Sequence, residues 1–252
     1  MDVFHYLAPG NYEMEEWSRP DEMALFGAFW ERAQAELDTI AEAEIADLCC
    51  GTGMSLLGVI SHPNIKTVTG VDIDARNIAF ARQRFGIFEN AAFQVADVTD
   101  FLKAGKEYDL LLLSSAYHHI EHPLQPAFAR QLFGALKPGG RAVFAENIVP
   151  HFDAPLTEPY NTAVVQFYAA ARDDTRRRRP NISDRIIRLI EENVSLAIRG
   201  EVEFKVCRQH FLSQLQQAGF EMIYEARAWP AGEPLPDNSG NHVFVFRKPD
   251  AA

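Results

Sequence analysis

Four consecutive leucines, Leu110-Leu111-Leu112-Leu113, stand between Asp109 and Ser114 near the middle of the chain. A strand with one wet face alternates apolar and polar side chains. This run does not alternate, so it predicts a central strand buried on both faces, as parallel sheets require. Around it, short apolar runs exchange with helical stretches. Strands are expected at 44–49, 67–72, 92–96, 109–114 and 141–148, with helices at 54–60, 75–85, 98–102 and 123–136. Strand–helix alternation sustained over about 100 residues predicts an open, doubly wound α/β sheet.

The flanks follow other rhythms. An amphipathic helix starts at Pro20-Asp21 and runs to about residue 42, with Asp21 as its N-cap and Leu25, Phe26, Phe29, Trp30, Ala33, Leu37 and Ile40 at helical spacing. The stretch before it, which carries Phe4, Tyr6, Tyr12 and Trp17, shows no period. Alternation stops at Pro150. Two helical patterns follow, 158–171 and 183–197, joined by a charged stretch from Arg172 to Pro180. A helix at 208–218 and strands at 221–228 and 242–247 then resume the α/β pattern, the two strands forming an antiparallel pair. The expected organisation is a mostly parallel seven-stranded sheet whose last strand is antiparallel. An N-terminal lid and helix would occupy 1–43, the core 44–150, a helical cap inserted after the fifth strand 151–206, and the rest of the sheet 207–252. An insertion at that point sits over the carboxyl ends of the strands, where ligands bind.

Charge and cysteine content exclude several classes. The chain has 252 residues with 24 Lys+Arg against 35 Asp+Glu, a net charge of −11. Wrapping nucleic acid needs a positive field, so no nucleic-acid partner is expected. No apolar run approaches the roughly 20 residues of a membrane span, and no signal peptide is visible. Cys49, Cys50 and Cys207 form no disulfide framework, which makes the cytoplasm the default location. No Cys-x-x-Cys or histidine cluster supplies a metal set, so no metal is expected.

The chemistry-bearing motif ends the first strand: Asp47-Leu48-Cys49-Cys50-Gly51-Thr52-Gly53. Glycines there let the backbone turn tightly and approach a ligand. Asp72, at the tip of the second strand, can accept from both hydroxyls of a ribose. Met54-Ser55-Leu56 follows Gly53, so the third glycine of a pyrophosphate-binding loop is missing. That points away from a dinucleotide and toward a nucleoside.

These residues resemble the class I, Rossmann-like S-adenosylmethionine-dependent methyltransferases. Asp47-x-Cys49-x-Gly51-x-Gly53 is similar to the family's first motif, with Cys49 in place of its first glycine. Ala96-Asp97-Val98 resembles the motif that reads adenine, and Ser114-Ser115-Ala116-Tyr117-His118-His119-Ile120 the turn after the fourth strand of small-molecule members. Leu136-Lys137-Pro138-Gly139-Gly140 and Ala218-Gly219-Phe220 match two further family links. The resemblance implies S-adenosylmethionine as cofactor. Its expected contacts are Asp47, Cys49, Gly51, Gly53, Asp72, Ile73, Asp97, Val98 and Ser114, with Tyr6 and Tyr12 from the lid. Asp97 can equally be a helix N-cap, or serve both ends. His118 and His119 are either bases or supports for the cofactor loop. Arg176-Arg177-Arg178-Arg179 reads as a solvated loop or as an anion clamp.

An acceptor site is expected between Asn147, Tyr168 and the His118-His119 turn, with Tyr168, Asn147 and His119 as candidate catalytic residues. The implied activity is methylation of a small molecule, in specialised metabolism. A second possibility is attack on the cofactor's aminocarboxypropyl chain, by transfer or by cyclisation to azetidine-2-carboxylate. Either releases methylthioadenosine. Cyclisation makes the cofactor the sole substrate, in a closed aromatic pocket with Asn147, Tyr160, Tyr168 or Ser195 holding its amine. A third is a non-catalytic binding module. The acceptor atom and the oligomeric state are not legible.

Overall fold

The leucine run does form the middle of a sheet. In a computed structural model, which describes residues 9–250, strand β4 (Tyr108–Ser114) lies between β1 (Ala43–Leu48) and β5 (Leu136–Val149), parallel to both. Leu111 and Leu113 enter one core with Phe128, Leu132, Phe211 and Phe244, while Leu110 and Leu112 enter the opposite core with Phe29, Leu37, Ile78 and Val143. All four are fully buried. Two dry faces leave no position for a polar residue, hence the lack of alternation. Each leucine contributes roughly 2 kcal/mol of apolar burial.

On one side of β1 lie β2 (Ile65–Asp72) and β3 (Ala91–Val95). Beyond β5 come β8 (Gly240–Arg247) and β7 (Glu221–Trp229), giving the order β3-β2-β1-β4-β5-β8-β7. Strand β8 is antiparallel to both neighbours. These seven strands are the expected ones. The eighth, β6 (Val206–Cys207), is a two-residue addition beside the end of β5. The order in which the chain adds strands reverses between β1 and β4, and a crevice opens there at the strands' carboxyl ends.

Helices α2 (Pro20–Leu37) and α3 (Ala75–Phe85) cover one face. The other is covered by α4 (Val98–Leu102), α5 (Gln125–Gly134) and α8 (Arg208–Gln217). A third apolar cluster lies where α6 (Glu158–Arg178) packs on α7 (Asp184–Arg199), around Phe152, Tyr160, Phe167, Ile190 and Trp229. No helix among the described residues is long and apolar enough to cross a membrane.

Four local expectations are corrected. The aperiodic N-terminal stretch is helical from Pro9 to Ser18 (α1), and Glu15 and Glu16 are its buried residues. A helix whose inward face carries carboxylates has no apolar stripe to reveal it. Asp21 is not an N-cap. Arg19 holds that position with no side-chain cap, and Asp21 lies in the first turn with its Oδ2 accepting from the Arg19 guanidinium at 2.7 Å. The helix expected at 54–60 shrinks to one 3-10 turn, Met54–Leu56. The Arg176–Arg179 tract is not a loop, because α6 continues through Arg178. Asp174 accepts from Arg177 and Arg178 one turn later, and cations suit the negative end of a helix.

Beneath the turn after β1, Asp47 is buried. Its Oδ2 accepts from Ser55 Oγ at 2.5 Å, and its Oδ1 has no hydrogen-bond partner among the described residues. Burial pushes this carboxyl up to about 7. An aspartate in the unfolded chain ionises near about 4. Between those values the folded state keeps a proton that the unfolded state has released, so stability falls as pH rises through that window. Acidifying from about pH 8 to about pH 5 should therefore raise the melting temperature less in Asp47→Asn than in the parent chain. Thermal denaturation of both proteins at both pH values checks this; equal rises would mean that Asp47 ionises normally.

Candidate functional site

The turn that leaves β1 passes through three left-handed residues: Cys49 at φ 55°, Gly51 at φ 52° and Gly53 at φ 81°. Gly53 has no room for a side chain, since a Cβ there would stand 2.5 Å from the Phe85 ring. Cys49 takes the same left-handed conformation without being glycine, at a cost of roughly 1 kcal/mol. At the tip of β2, Asp72 braces the turn. Its Oδ2 accepts from the Gly51 amide at 2.9 Å and its Oδ1 from the Asp74 amide at 2.8 Å. At the next strand end, Asp97 Oδ1 caps α4 through the Thr99 amide (2.7 Å), Thr99 Oγ1 (2.5 Å) and the Asp100 amide (3.4 Å).

Helix α1 roofs this surface. Tyr12 lies over Gly51, its ring 3.6 Å from where a Cβ would be. Glu13 ties the helix down, accepting from Thr52 Oγ1 and, at 3.0 Å, from the Arg84 guanidinium. Between roof and strand ends is a cavity of about 300 Å³.

Of the expected cofactor contacts, Tyr12, Cys49, Gly51, Asp72, Ile73, Asp97, Val98 and Ser114 line this cavity. Asp47 and Gly53 are not among the lining residues; they shape the turn from beneath and behind. Tyr6 and Phe4 lie outside the described residues. Trp17 is exposed and donates to Glu13 at 3.0 Å, away from the cavity. Arg176–Arg179 do not line it either. Burial pushes the Cys49 thiol up, so it stays protonated.

The three expected catalytic residues, Asn147, Tyr168 and His119, also line the cavity, but in unequal positions. Asn147 is the hub of a buried polar network. Its Nδ2 donates to Glu22 Oε1 (3.1 Å) and Asn241 Oδ1 (3.0 Å), and its Oδ1 accepts from the Lys205 ammonium at 3.0 Å. Tyr168 donates to Glu203 Oε2 at 3.4 Å, with the Lys205 ammonium 5.5 Å and the Arg19 guanidinium 5.9 Å from its ring centre. His119 is at the rim, its Nδ1 2.7 Å from the Val202 carbonyl. Tyr160 belongs to the apolar cluster, and Ser195 is half-buried, its hydroxyl donating to the Glu191 carbonyl; neither lines the cavity.

His118 is better placed than His119. It is buried, with Nδ1 against Glu146 Oε1 and Nε2 3.7 Å from Glu203 Oε2. Burial, assisted by the nearby Lys205 charge, holds His118 well below the usual imidazole range, so the ring is neutral near pH 7. Burial pushes Glu146 up to about 7. Burial acts the same way on Glu203, but the Lys205 ammonium at 2.8 Å, the largest of the opposing effects, holds that carboxyl at about 2. His118, His119 and Glu203 bring three possible ligand atoms within 4.8 Å of one another. Because Lys205 is already salt-bridged to that carboxylate, a metal ion there would face like-charge repulsion.

Sequence reasoning missed the inner wall: Glu15, Glu16, Arg19, Glu22, Asn193, Glu203 and Lys205. No spacing rule marks these residues. The signal that was available is the density of charge just before the first apolar helix.

Comparison with known proteins agrees with this geometry. Residues 45–140 match the family described as "Methyltransferase domain". A demethylmenaquinone methyltransferase of Tropheryma whipplei is 32% identical over 135 residues, 53% of this chain and 54% of that protein. A carboxy-S-adenosyl-L-methionine synthase of Campylobacter fetus is 29% identical over 116 residues, 46% of this chain and 48% of that protein. The chain thus spans about half the length of the curated relatives it matches. The fold is shared with the N-methyltransferase NodS of Bradyrhizobium japonicum, solved with S-adenosyl-L-homocysteine, at a TM-score of 0.53 and 16% identity over 92% of this chain and 89% of that one. Residues 45–140 thus match a methyltransferase domain, set in a fold shared with a methyltransferase solved with S-adenosyl-L-homocysteine.

Proposed function

We propose that the protein transfers a methyl group from S-adenosylmethionine to a small molecule held at the inner end of the cavity. The observation that carries this reading is continuity. One cavity runs from the nucleoside-type surface of Gly51, Asp72 and Asp97 to a walled polar end at Tyr168, Asn147 and Glu203. The residues present fit the cofactor. Asp72 spends one acceptor site of each oxygen on a backbone amide, which leaves lone pairs for two ribose hydroxyls. Asp97 caps its helix through Oδ1, so Oδ2 is the oxygen available to an adenine amino group. The missing Cβ at Gly51 keeps open the gap beneath the Tyr12 ring, whose face attracts a cation.

Bound there, S-adenosylmethionine supplies an electrophilic methyl on a sulfonium. The protein's part is alignment, exclusion of water and proton removal. Helix α1, pinned by Glu13 to Thr52 and Arg84, closes the roof. Glu146 occupies His118 Nδ1 and directs Nε2 toward the inner end, where a neutral imidazole can take a proton from an acceptor. His119, engaged with Val202 at the rim, is a support for the turn. The lining carries more charged side chains than aromatic rings, with Tyr12 and Tyr168 supplying the rings, which favours a separate polar acceptor over cyclisation of the cofactor in an aromatic pocket.

Two measurements test this. Asp72→Ala should weaken S-adenosylhomocysteine binding by about tenfold or more, since two hydrogen bonds to a charged acceptor are lost. Calorimetric titration decides it, and unchanged affinity would remove Asp72 from the ribose role. Mass spectrometry of products from S-adenosylmethionine and a panel of small polar acceptors should show S-adenosylhomocysteine with a methylated acceptor. Methylthioadenosine above an enzyme-free control, formed from the cofactor alone, would replace methyl transfer with attack on the aminocarboxypropyl chain.

A further inference from the structure

The inner end of the cavity holds more buried carboxylates than its cations offset. The Arg19 guanidinium serves three at once: Glu15 at 3.2 Å, Asp21 at 2.7 Å and Glu22 at 3.0 Å. The Lys205 ammonium is paired with Glu203 at 2.8 Å. Glu16 lines the same cavity at 8% exposure, and its Oε2 has no hydrogen-bond partner among the described residues. The same is true of Glu22 Oε2 and Asp21 Oδ1. Three orphaned carboxyl oxygens on the first two helices are costly, because each gave up water without gaining a donor.

A ligand that brings donors and positive charge completes this arrangement; one that brings negative charge does not. The Lys205 ammonium and both terminal nitrogens of Arg19 are already held by their own carboxylates, which an incoming carboxylate or phosphate would have to displace. Of these cations' donors Arg19 Nε alone lacks a partner among the described residues, one donor against three orphaned acceptors. Burial pushes Glu16 well above the usual carboxylate range, so without ligand it tends to stay protonated, and pushes Glu22 up to about 7, so that carboxyl is part protonated near neutral pH. An entering cation reverses that tendency by stabilising the charged form.

We propose that the acceptor carries a small aliphatic amine, bound at the inner end through a cationic ammonium that donates to Glu16 and Glu22 on the wall shared with Arg19 and Tyr168. That ammonium has no lone pair, so the methyl goes to a second, neutral group of the same molecule, whose proton passes to His118 Nε2 as the sulfonium becomes the thioether of S-adenosylhomocysteine. This deepens the methyl-transfer reading and rests on it for the cofactor's place in the outer half. The same chemistry could be met by the cofactor's own ammonium, so the test must separate the two sources.

The full chain, with and without saturating S-adenosylhomocysteine, is titrated calorimetrically with 1,4-diaminobutane, 1,4-butanediol and succinate. These are similar in length and differ in charge. The diamine should bind at least about tenfold more tightly than the diol, and succinate should not bind. Glu16→Gln, which keeps the side chain's shape, should weaken the diamine by about tenfold while leaving S-adenosylhomocysteine affinity unchanged. Succinate or the diol matching the diamine, or no binding by any of the three, overturns the proposal. So does a Glu16→Gln protein that loses affinity for S-adenosylhomocysteine but not for the diamine, which would assign the carboxylate to the cofactor. Failure of S-adenosylhomocysteine to bind the parent chain is a separate result: it sinks the methyl-transfer reading, while the diamine titration of the ligand-free chain still decides the charge preference.

Discussion

The buried hydrogen bonds of Asn147 are what join the parts of this molecule into a site. Its amide reaches Glu22 at the start of α2, Asn241 at the start of β8 and Lys205 just before β6, while its own backbone is part of β5. Glu22 carries the connection on to Arg19, and Lys205 to Glu203. A network of this kind is expensive when incomplete, and removing one member of a buried ion pair costs several kcal/mol. Helices α1 and α2, the sheet and the segment entering β6 are therefore fixed relative to one another by polar contacts as well as, for α2 and the sheet, by the third apolar cluster.

That division explains what could be read from the sequence. The sheet was legible because Leu110–Leu113 and the runs around it have one physical reason to be apolar, burial on both faces. The place of Asp72 on the cavity wall was legible because it stands at a strand tip beside a glycine turn. The inner wall was not legible. Its helix α1 turns Glu15 and Glu16 inward, which inverts the usual signal of amphipathicity. Glu203 and Lys205 come from a connection without periodicity, and their meeting with Tyr168 depends on how α6 and α7 pack. The arginine tract misled for a related reason. Four like charges read as solvated chain, yet Asp174 one turn earlier supplies the counter-charge that lets α6 continue.

The two halves of the cavity also differ in how much they tolerate. The outer half is built from backbone: the left-handed turn at Cys49–Gly53, the amides held by Asp72, and the cap formed by Asp97. Even with Cys49 in a conformation that favours glycine, the turn keeps its course, because the Cys50 amide is held by the Val71 carbonyl and the Gly53 amide by the Cys50 carbonyl. The inner half is built from side chains, and each charged group there answers to a neighbour. Such a wall can change its preferred ligand through a few substitutions without disturbing the sheet. That is how one fold comes to serve many acceptors.

Helix α1 belongs to both halves, and this couples them. Tyr12 and Glu13 face the turn, while Glu15 and Glu16 face the inner wall on the next turn of the same helix. A rigid helix cannot close over a nucleoside without also bringing its carboxylates against the acceptor end. Over the turn it is held by Glu13, which accepts from Thr52 and Arg84, and by the Tyr12 ring packed on Gly51. At its far end it is held by the Glu15 contacts with Arg19 and Asn193, the latter at 2.9 Å. Cofactor in the outer half adds contacts beneath Tyr12 and lowers the free energy of the closed roof. On the reading proposed above, the Glu16 carboxyl is then already in place for an acceptor. By thermodynamic reciprocity, an acceptor that draws on Glu16 must favour cofactor binding to the same degree.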